Sequence, residues 1–314
     1  MRVQPLFNNR WFAITAPAAI GLGCVAVSVW GLKDYGWSLF LGLPFVVSFL
    51  AAFFYSFRRE VKLHAAFRMA ALSMLLLGVA ILLAAIDGLI CLLMALPLAF
   101  GIGAIGALAG WQTGQVKKSA DPKLPLLAVG LLPLLATLEH ATKPPPELRM
   151  VTTRVAIAAT PARVWPAVIA FPQITEPPGG IFRLGIAYPI EARIEGAGVG
   201  AVRHCVFSTG SFVEPITVWE APSRLAFAVT AQPEPMRELS IYRHIDAPHL
   251  HGFMVSERGQ FRLIEEQGRT VLEGTTWYRH DLAPGWYWGP ITDTIIHHIH
   301  ERVLSHIRRT VEAG

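Results

Sequence analysis

The chain has 314 residues, of which 53% are hydrophobic and 16% are charged, whereas ordinary globular proteins carry about 25% charged residues. The mean hydropathy of +0.44 excludes a disordered chain. The 23 prolines and 27 glycines follow no period, which excludes a fibrous repeat.

The net charge of +5 belongs to the first part of the chain. Residues 1–140 carry 10 Lys and Arg against 5 Asp and Glu, and residues 141–314 carry 17 against 17. An excess of cations in short loops between apolar runs is typical of membrane proteins, because Lys and Arg resist translocation. The charge therefore gives no indication of nucleic-acid binding, and none is predicted.

Five apolar stretches approach the roughly 20 residues that a helix needs to cross a bilayer. They cover residues 11–32, 37–57, 69–86, 89–111 and 124–138. The last is short and contains Pro125 and Pro133, so a re-entrant or interfacial segment is the alternative there. The sequence predicts a membrane domain over residues 1–140.

The charges of the loops predict the orientation of this domain. One side of the predicted membrane carries Lys33 alone. The other side carries nine cations: Arg2, Arg10, Arg58, Arg59, Lys62, Arg68, Lys117, Lys118 and Lys123. The bias places the N-terminus in the cytoplasm, and five crossings then place the C-terminal domain outside, on a multi-pass inner-membrane protein. The interiors of the runs hold no charge, which argues against an ion-coupled transporter.

Small residues in the fourth run predict close helix packing. Gly106 and Gly110 form a G-x-x-x-G pair, and Gly103 with Ala107 forms a second small pair. Packing within the bundle is the preferred interpretation, with a dimer seam as the alternative.

The C-terminal half reads as a separate soluble domain over residues 150–314, after a proline-rich linker at 141–149. An alternating strand at 151–158 leads to Thr160-Pro161, a helix start. Three strand hairpins follow, and residues 290–312 form an amphipathic helix. Cys205 stands alone in this half, so no disulfide framework is predicted within it.

Three motifs in this half resemble the START-like, Bet v 1-type superfamily, which includes polyketide cyclases/dehydrases and lipid-transport domains (SRPBCC). They are the opening helix at 160–165 (TPARVW), the turn and strand at 198–203 (GVGAVR), and the hairpin at 219–227 (WEAPSRLAF). The resemblance covers about 165 residues and implies a helix-grip fold. The predicted fold class is thus an α-helical membrane bundle followed by an α+β domain, in which an antiparallel curved sheet wraps around a long C-terminal helix.

The helix-grip fold implies a cavity between the sheet and the last helix, suited to a hydrophobic ligand. Alternation along the strands predicts which side chains face it, although each could equally be ordinary core. The predicted ligand-binding residues are Trp165, His204, Val206, Val218, Phe227, Leu272, Thr276, Tyr278 and Ile299.

Catalysis is only weakly indicated. His204, Tyr278 and His280 are the inward groups that could act as a general acid or base. No lysine follows Lys143, which removes Schiff-base chemistry from the soluble half. Asp293 and His297 lack a third ligand at zinc spacing, so no metal and no cofactor are predicted.

The aromatic run Trp286, Tyr287 and Trp288 precedes the last helix. Such side chains favour the membrane interface, so this run is predicted either to touch the bilayer at the ligand portal or to plug the mouth of the cavity.

Together these observations predict a membrane-tethered protein that binds or transfers a hydrophobic ligand such as a lipid, a quinone or a polyketide-like compound. Membrane lipids and a hydrophobic small molecule are the predicted partners. One alternative is a cyclase- or dehydratase-type enzyme using the same cavity. The other is a non-catalytic adaptor that recruits a membrane protein.

Overall fold

The structure, a computed structural model, describes residues 9–115, 123–243 and 245–314. Arg2, Lys117 and Lys118, on which part of the charge-based orientation depends, lie outside these residues. The chain divides into two compact units. A helical unit comprises Met1–Pro144, Glu238–Pro248 and Leu282–Pro284, and a sheet unit comprises Pro145–Arg237, His249–Asp281 and Gly285–Gly314.

Within its described residues, the helical unit contains five helices long and apolar enough to cross a membrane. They are α1 (Arg10–Leu32), α2 (Ser38–Ser56), α3 (Leu63–Leu83), α4 (Leu89–Gln115) and α5 (Leu124–Thr142).

Glycines of α4 allow it to lie directly against α2. A Cβ on Gly106 would sit 2.3 Å from the carbonyl oxygen of Phe45, and one on Gly110 would sit 2.2 Å from that of Phe49. Only a residue without a side chain permits this approach of two backbones. The small-residue pairs of the fourth apolar run therefore pack inside the bundle.

Polar contacts hold the end of α5 beside the loop between α1 and α2. The Glu139 carboxylate accepts hydrogen bonds from the backbone N–H of Trp37 and, at 2.9 Å, from that of Ser38. Lys143 Nζ lies 2.6 Å from a carboxylate oxygen of Asp34. A carboxylate at a helix N-terminus satisfies N–H groups that have no partner within the helix, so Glu139 caps α2.

A segment that follows the fifth strand in the chain belongs to the helical unit. The Glu238 carboxylate accepts hydrogen bonds from the N–H groups of Ile90 at 3.0 Å and Cys91 at 3.2 Å, at the start of α4. The Tyr242 hydroxyl donates to the carbonyl oxygen of Leu83 at 2.6 Å.

The sheet unit is a seven-stranded antiparallel sheet with a short helix, α6 (Pro161–Ile169), and a long C-terminal helix, α7 (Gly285–Ala313). The strands run in the order β1-β7-β6-β5-β4-β3-β2. They are β1 (Arg149–Ile157), β2 (Pro189–Glu195), β3 (Val202–Phe207), β4 (Gly210–Glu220), β5 (Arg224–Ala228), β6 (Met254–Glu266) and β7 (Arg269–His280).

The core of the sheet unit lies between the inner face of the sheet and one side of α7. Val303, Leu304 and Ile307 of α7 are buried with Leu225 of β5 and Leu272 of β7. This arrangement confirms the predicted fold class, a helical region followed by a helix-grip domain.

Candidate ligand cavity

The sheet unit contains a cavity of about 100 Å³ between strands β3 to β7 and helix α7. An apolar cavity that holds a benzene molecule has about 150 Å³, so a small ring enters this smaller cavity only if lining side chains move. Most of its surface is apolar. The apolar lining consists of Phe207, Phe212, Phe227, Val229, Met254, Phe261, Ile296, Ile299, Val303 and Leu304.

One part of the lining is a buried ion pair. Arg203 of β3 and Glu214 of β4 are directly opposite each other in the sheet, and the guanidinium donates a hydrogen bond to the carboxylate. Arg203 is 1% exposed and Glu214 is 6% exposed. Since an isolated buried charge is costly, each group depends on the other for its burial.

Aromatic rings and a backbone oxygen complete the surroundings of the guanidinium. Its central carbon lies 5.7, 5.6 and 5.5 Å from the ring centroids of Phe171, Phe227 and Phe261. Arg203 Nε donates to the carbonyl oxygen of Ile169 at 3.1 Å. Rings at this distance attract a cation through their quadrupoles, so the pair is fixed in position.

Burial also controls the neighbouring Cys205, whose side chain lines the cavity. Desolvation raises the pKa of its thiol to about 12. A thiol that stays protonated at neutral pH is a weak nucleophile. The geometry therefore gives Cys205 a packing role.

A second polar region of the lining is formed by His300 of α7 and Thr276 of β7. His300 Nε2 lies 2.8 Å from Thr276 Oγ1, and His300 Nδ1 lies 3.1 Å from Oγ1 of Thr153 on β1. Burial, and secondarily the nearby His297, lowers the pKa of His300 to about 4. The imidazole is therefore neutral at pH 7, with one donor and one acceptor nitrogen.

Tyr278 takes part in a different hydrogen-bond network. Its hydroxyl donates to Asp293 Oδ1 at 2.6 Å, and Arg149 Nε donates to the Tyr278 hydroxyl oxygen at 3.2 Å. Burial raises the pKa of Tyr278. Burial also opposes ionisation of Asp293, but hydrogen bonds from Arg149 and Tyr278 leave the pKa of its carboxyl below the usual value. Tyr278 lies outside the cavity lining, in a cluster with Val151.

Three residues predicted to bind ligand do line the cavity: Phe227, Thr276 and Ile299. Two others lie in the surrounding core. Leu272 is fully buried, and Trp165 packs edge-to-face on Trp219 with ring centroids 5.7 Å apart.

The inward assignment of His204 and Val206 was wrong. Buried and half-buried residues alternate along β3, and the residues that line the cavity are Arg203, Cys205 and Phe207. His204 instead approaches the exposed Glu195, at 3.9 Å. The physical reason is that an arginine faces inward when a carboxylate on the next strand pairs with it.

Val218 also lies outside the lining. The register between β4 and β5 shifts between Ile216 and Val218, and a bulge of this kind adds a residue and changes which side chains face inward. Ile216 and Trp219 belong to the core cluster or pack against it, so the parity of the strand changes between them.

The remaining predicted site residues lie near the start of α7 or at the end of β7. His280 is half-buried, with its ring centroid 6.2 Å from that of Tyr278. Trp286, Tyr287 and Trp288 lie in the first turn of α7 and differ in burial. Trp286 is 61% exposed and Trp288 is 2% exposed, so a single role for the whole run does not fit.

The ion pair and the role of His300 were not predicted from the sequence. A signal for the pair existed, because Arg203 and Glu214 are opposite charges on consecutive strands of a hairpin. His297 and His300 are close along α7, but the threonine that both contact, Thr153, is more than 140 positions away in the chain.

The helical unit has a larger groove, of about 260 Å³, lined by apolar residues of α1 to α4. Its lining includes Leu75, Val79 and Leu93, each 51% exposed. The groove therefore opens on the outside of the helices, where lipid would cover it in a membrane protein.

No protein-family model and no curated protein matches this chain. Solved structures that resemble it include an uncharacterised protein from Bacillus thuringiensis, 14% identical, with a TM-score of 0.34 over 52% of this chain and 98% of that one. Norcoclaurine synthase from Thalictrum flavum is 10% identical, with a TM-score of 0.35 over 54% and 97%. Ara h 8.0201 is 9% identical, with a TM-score of 0.32 over 54% and 100%. Likenesses this distant carry no information about function, and the fold assignment depends on the strand order and helix packing described above.

Proposed function

We propose that this chain is a membrane-anchored protein whose sheet unit binds a small hydrophobic molecule. The observation that supports this most strongly is the cavity itself: its lining is mostly apolar and includes a buried arginine held by Glu214. Ligand sites typically combine an apolar wall with a few polar groups that orient the ligand.

The size of the cavity limits what it holds. At about 100 Å³, it is smaller than the cavity of about 150 Å³ that holds benzene, so even one ring needs lining side chains to move. A lipid, a quinone or a polyketide-like compound would place one ring or chain end here, and the rest of the molecule would need α7 or a neighbouring loop to move.

Membrane anchoring is supported by the five apolar helices and by the contacts of α5. Glu139 and Lys143, at the end of α5, contact the loop between α1 and α2. If α1 crosses a bilayer from the cytoplasm, this loop is outside, and so is the end of α5. We therefore infer that the chain crosses the inner membrane five times and that its C-terminal half is outside the cytoplasm.

The binding proposal is tested by purifying the full chain in mild detergent and identifying co-purified molecules by mass spectrometry. The Ile299→Trp variant fills the cavity, because Ile299 lines it. Thr294→Trp is the matched control, because Thr294 is exposed on the same helix. One dominant species should be present in the wild type and the control and absent from Ile299→Trp. Equal retention by both variants would place the bound molecule elsewhere and reject the proposal.

The orientation is tested with a reporter fused after Gly314 that is active only outside the cytoplasm. Activity of this fusion is expected. A reporter active only in the cytoplasm, fused at the same position and found active, would show an even number of spans.

A further inference from the structure

A series of side chains connects the cavity with the surface of the sheet unit. Hydrogen bonds link Thr276, His300, Thr153 and His297, and His297 lies within ion-pair distance of Glu301. Thr276 Oγ1 lies 2.8 Å from His300 Nε2, and His300 Nδ1 lies 3.1 Å from Thr153 Oγ1. Thr153 Oγ1 lies 2.8 Å from His297 Nδ1, and His297 Nε2 lies 3.4 Å from Oε1 of Glu301. Thr276 and His300 line the cavity, whereas the side chains of His297 and Glu301 are 46% and 49% exposed.

The chemistry of these groups makes the chain directional. A threonine hydroxyl has one proton, and a neutral imidazole has one donor and one acceptor nitrogen. Thr153 Oγ1 lies within hydrogen-bond distance of both His300 Nδ1 and His297 Nδ1. When Thr153 donates to one of these nitrogens, it can only accept from the other. In the arrangement that uses every proton, the donor choice at Thr276 is therefore passed on to His297.

We propose that this series of side chains, from Thr276 to Glu301, is a proton-transfer path. The cavity then carries out acid–base chemistry on an oxygen atom of its ligand. The ligand class is a small apolar molecule with one hydroxyl or carbonyl group at Thr276. This inference depends on the proposed binding function and adds a reaction to it.

The protons balance along the path. The ligand O–H bond breaks, its electron pair stays on the ligand oxygen, and the proton moves to Thr276 Oγ1. The hydroxyl proton of Thr276 passes to His300 Nε2, and the Nδ1 proton of His300 passes to Thr153. Thr153 gives its proton to His297 Nδ1, and His297 gives its Nε2 proton to Glu301, which releases it to water. The reverse sequence protonates a ligand oxygen.

The surroundings favour this transfer. His300 is neutral at pH 7, so its two nitrogens can change roles without holding a buried charge. The titratable groups near His297 include His300 and Glu301, which lie one turn further along α7. The other carboxylate oxygen of Glu301 lies 3.0 Å from His298 Nδ1. Asp293, one turn back, is paired with Arg149 of β1.

The test compares two single-ring probes, phenol and cyclopentanone, on the full chain with 15N-labelled histidine. A bound phenol donates a hydrogen bond to Thr276 Oγ1, so Thr276 donates to His300 and Thr153 donates to His297 Nδ1. A bound cyclopentanone only accepts, so Thr276 donates to the ketone, His300 donates to Thr276, and His297 Nδ1 donates to Thr153. The His297 15N shifts should therefore show Nδ1 without a proton in the phenol complex and with a proton in the cyclopentanone complex.

Variants of Thr153 separate the path from simple proximity. Thr153→Val should abolish the difference between the probes at His297, and Thr153→Ser should retain it. Thr152→Val is the matched control, because the neighbouring Thr152 bonds to Thr275 instead, and it should behave like the wild type.

Saturation transfer from protein to probe, measured on the same samples, separates the two proposals. If neither probe receives magnetisation, ring binding in this cavity fails and the inference fails with it. If both probes bind and perturb His300, but the same His297 nitrogen carries the proton in both complexes of the wild type, binding stands and the proton path is refuted.

Discussion

Removing Arg203 should destabilise the sheet unit more than almost any other single polar substitution. Arg203 is 1% exposed and pairs with Glu214, which is 6% exposed. The Arg203→Met variant keeps most of the apolar volume but leaves the Glu214 carboxylate buried without its cation.

The expected cost follows from this geometry. Breaking a buried pair by removing one partner costs about 3–5 kcal/mol. Urea lowers unfolding free energies by about 2 kcal/mol per molar in small domains, so the midpoint should fall by about 1.5–2.5 M. The assay is urea unfolding of the full chain in detergent, followed by the fluorescence of its nine tryptophans. Two of them, Trp165 and Trp219, pack together in the core of the sheet unit.

Three further variants test this reasoning. Arg203→Met/Glu214→Leu removes both charges and should be more stable than Arg203→Met alone, because no uncompensated charge remains. Glu214→Leu alone completes the comparison. Arg193→Met is the surface control: Arg193 is 73% exposed in its pair with Glu191, and exposed pairs contribute at most about 1 kcal/mol. If the double variant loses the sum of the losses of Arg203→Met and Glu214→Leu, the two charges act independently and the pairing argument fails.

Three other predictions concern the helices and the cavity. Gly110→Ala would place a methyl group 2.2 Å from the carbonyl oxygen of Phe49, so the protein should no longer elute as a single species in size-exclusion chromatography. Gly101→Ala, with nothing within 4 Å, should be tolerated. Equal behaviour of the two variants would contradict the close contact between α2 and α4. Between the ordinary pKa of 6.5 and the lowered value of about 4, the unfolded chain takes up a proton at His300 that the folded chain does not. Stability conferred by neutral His300 should therefore be lost as the pH falls through this window, and the urea midpoint of His300→Gln should change less with pH than that of the wild type; parallel pH curves would be inconsistent with a buried neutral imidazole. Glu139→Gln removes the charge that caps α2 and should lower stability by about 1 kcal/mol, read as a drop of a few degrees in Tm; an unchanged Tm would show that the cap is unimportant.

The helices were the most predictable part, because a run of apolar residues marks a helix wherever it occurs. Their ends were less so. The third run was predicted over 69–86, whereas α3 spans Leu63–Leu83. It begins earlier because backbone hydrogen bonding continues through His64 and Arg68, whose polar side chains ended the apolar run. Hydropathy locates apolar surface and does not locate the first hydrogen bond of a helix.

The fold of the C-terminal half was predictable from the order of strands and helices, but the orientation of single strands was not. Alternation along β3 gave two possible faces, and the apolar Val206 favoured the wrong one. The choice depends on Glu214 of the next strand, and only the assembled sheet puts the two charges opposite each other. The change of parity at Val218 depends on a bulge, which the composition of β4 does not reveal.

The hydrogen bonds between Thr153, His297 and His300 could not be predicted from the sequence for a different reason. The alternation of the predicted strand at 151–158 places Thr153 on the same face as Val151, and both are buried. Nothing in the sequence says that α7 brings His297 and His300 to the same hydroxyl, because that contact depends on how the helix is rotated over the sheet.

The inclusion of Glu238–Pro248 and Leu282–Pro284 in the helical unit has a practical consequence for dissecting the molecule. Severing the chain at Pro144 would leave a fragment that still contains both segments without the helices to which they belong. Ile241, already 73% exposed in the whole chain, would then lie on a loop without its packing partners, and the fragment should aggregate during expression. A soluble version should be designed by replacing both segments with short polar turns, rather than by trimming at the prolines.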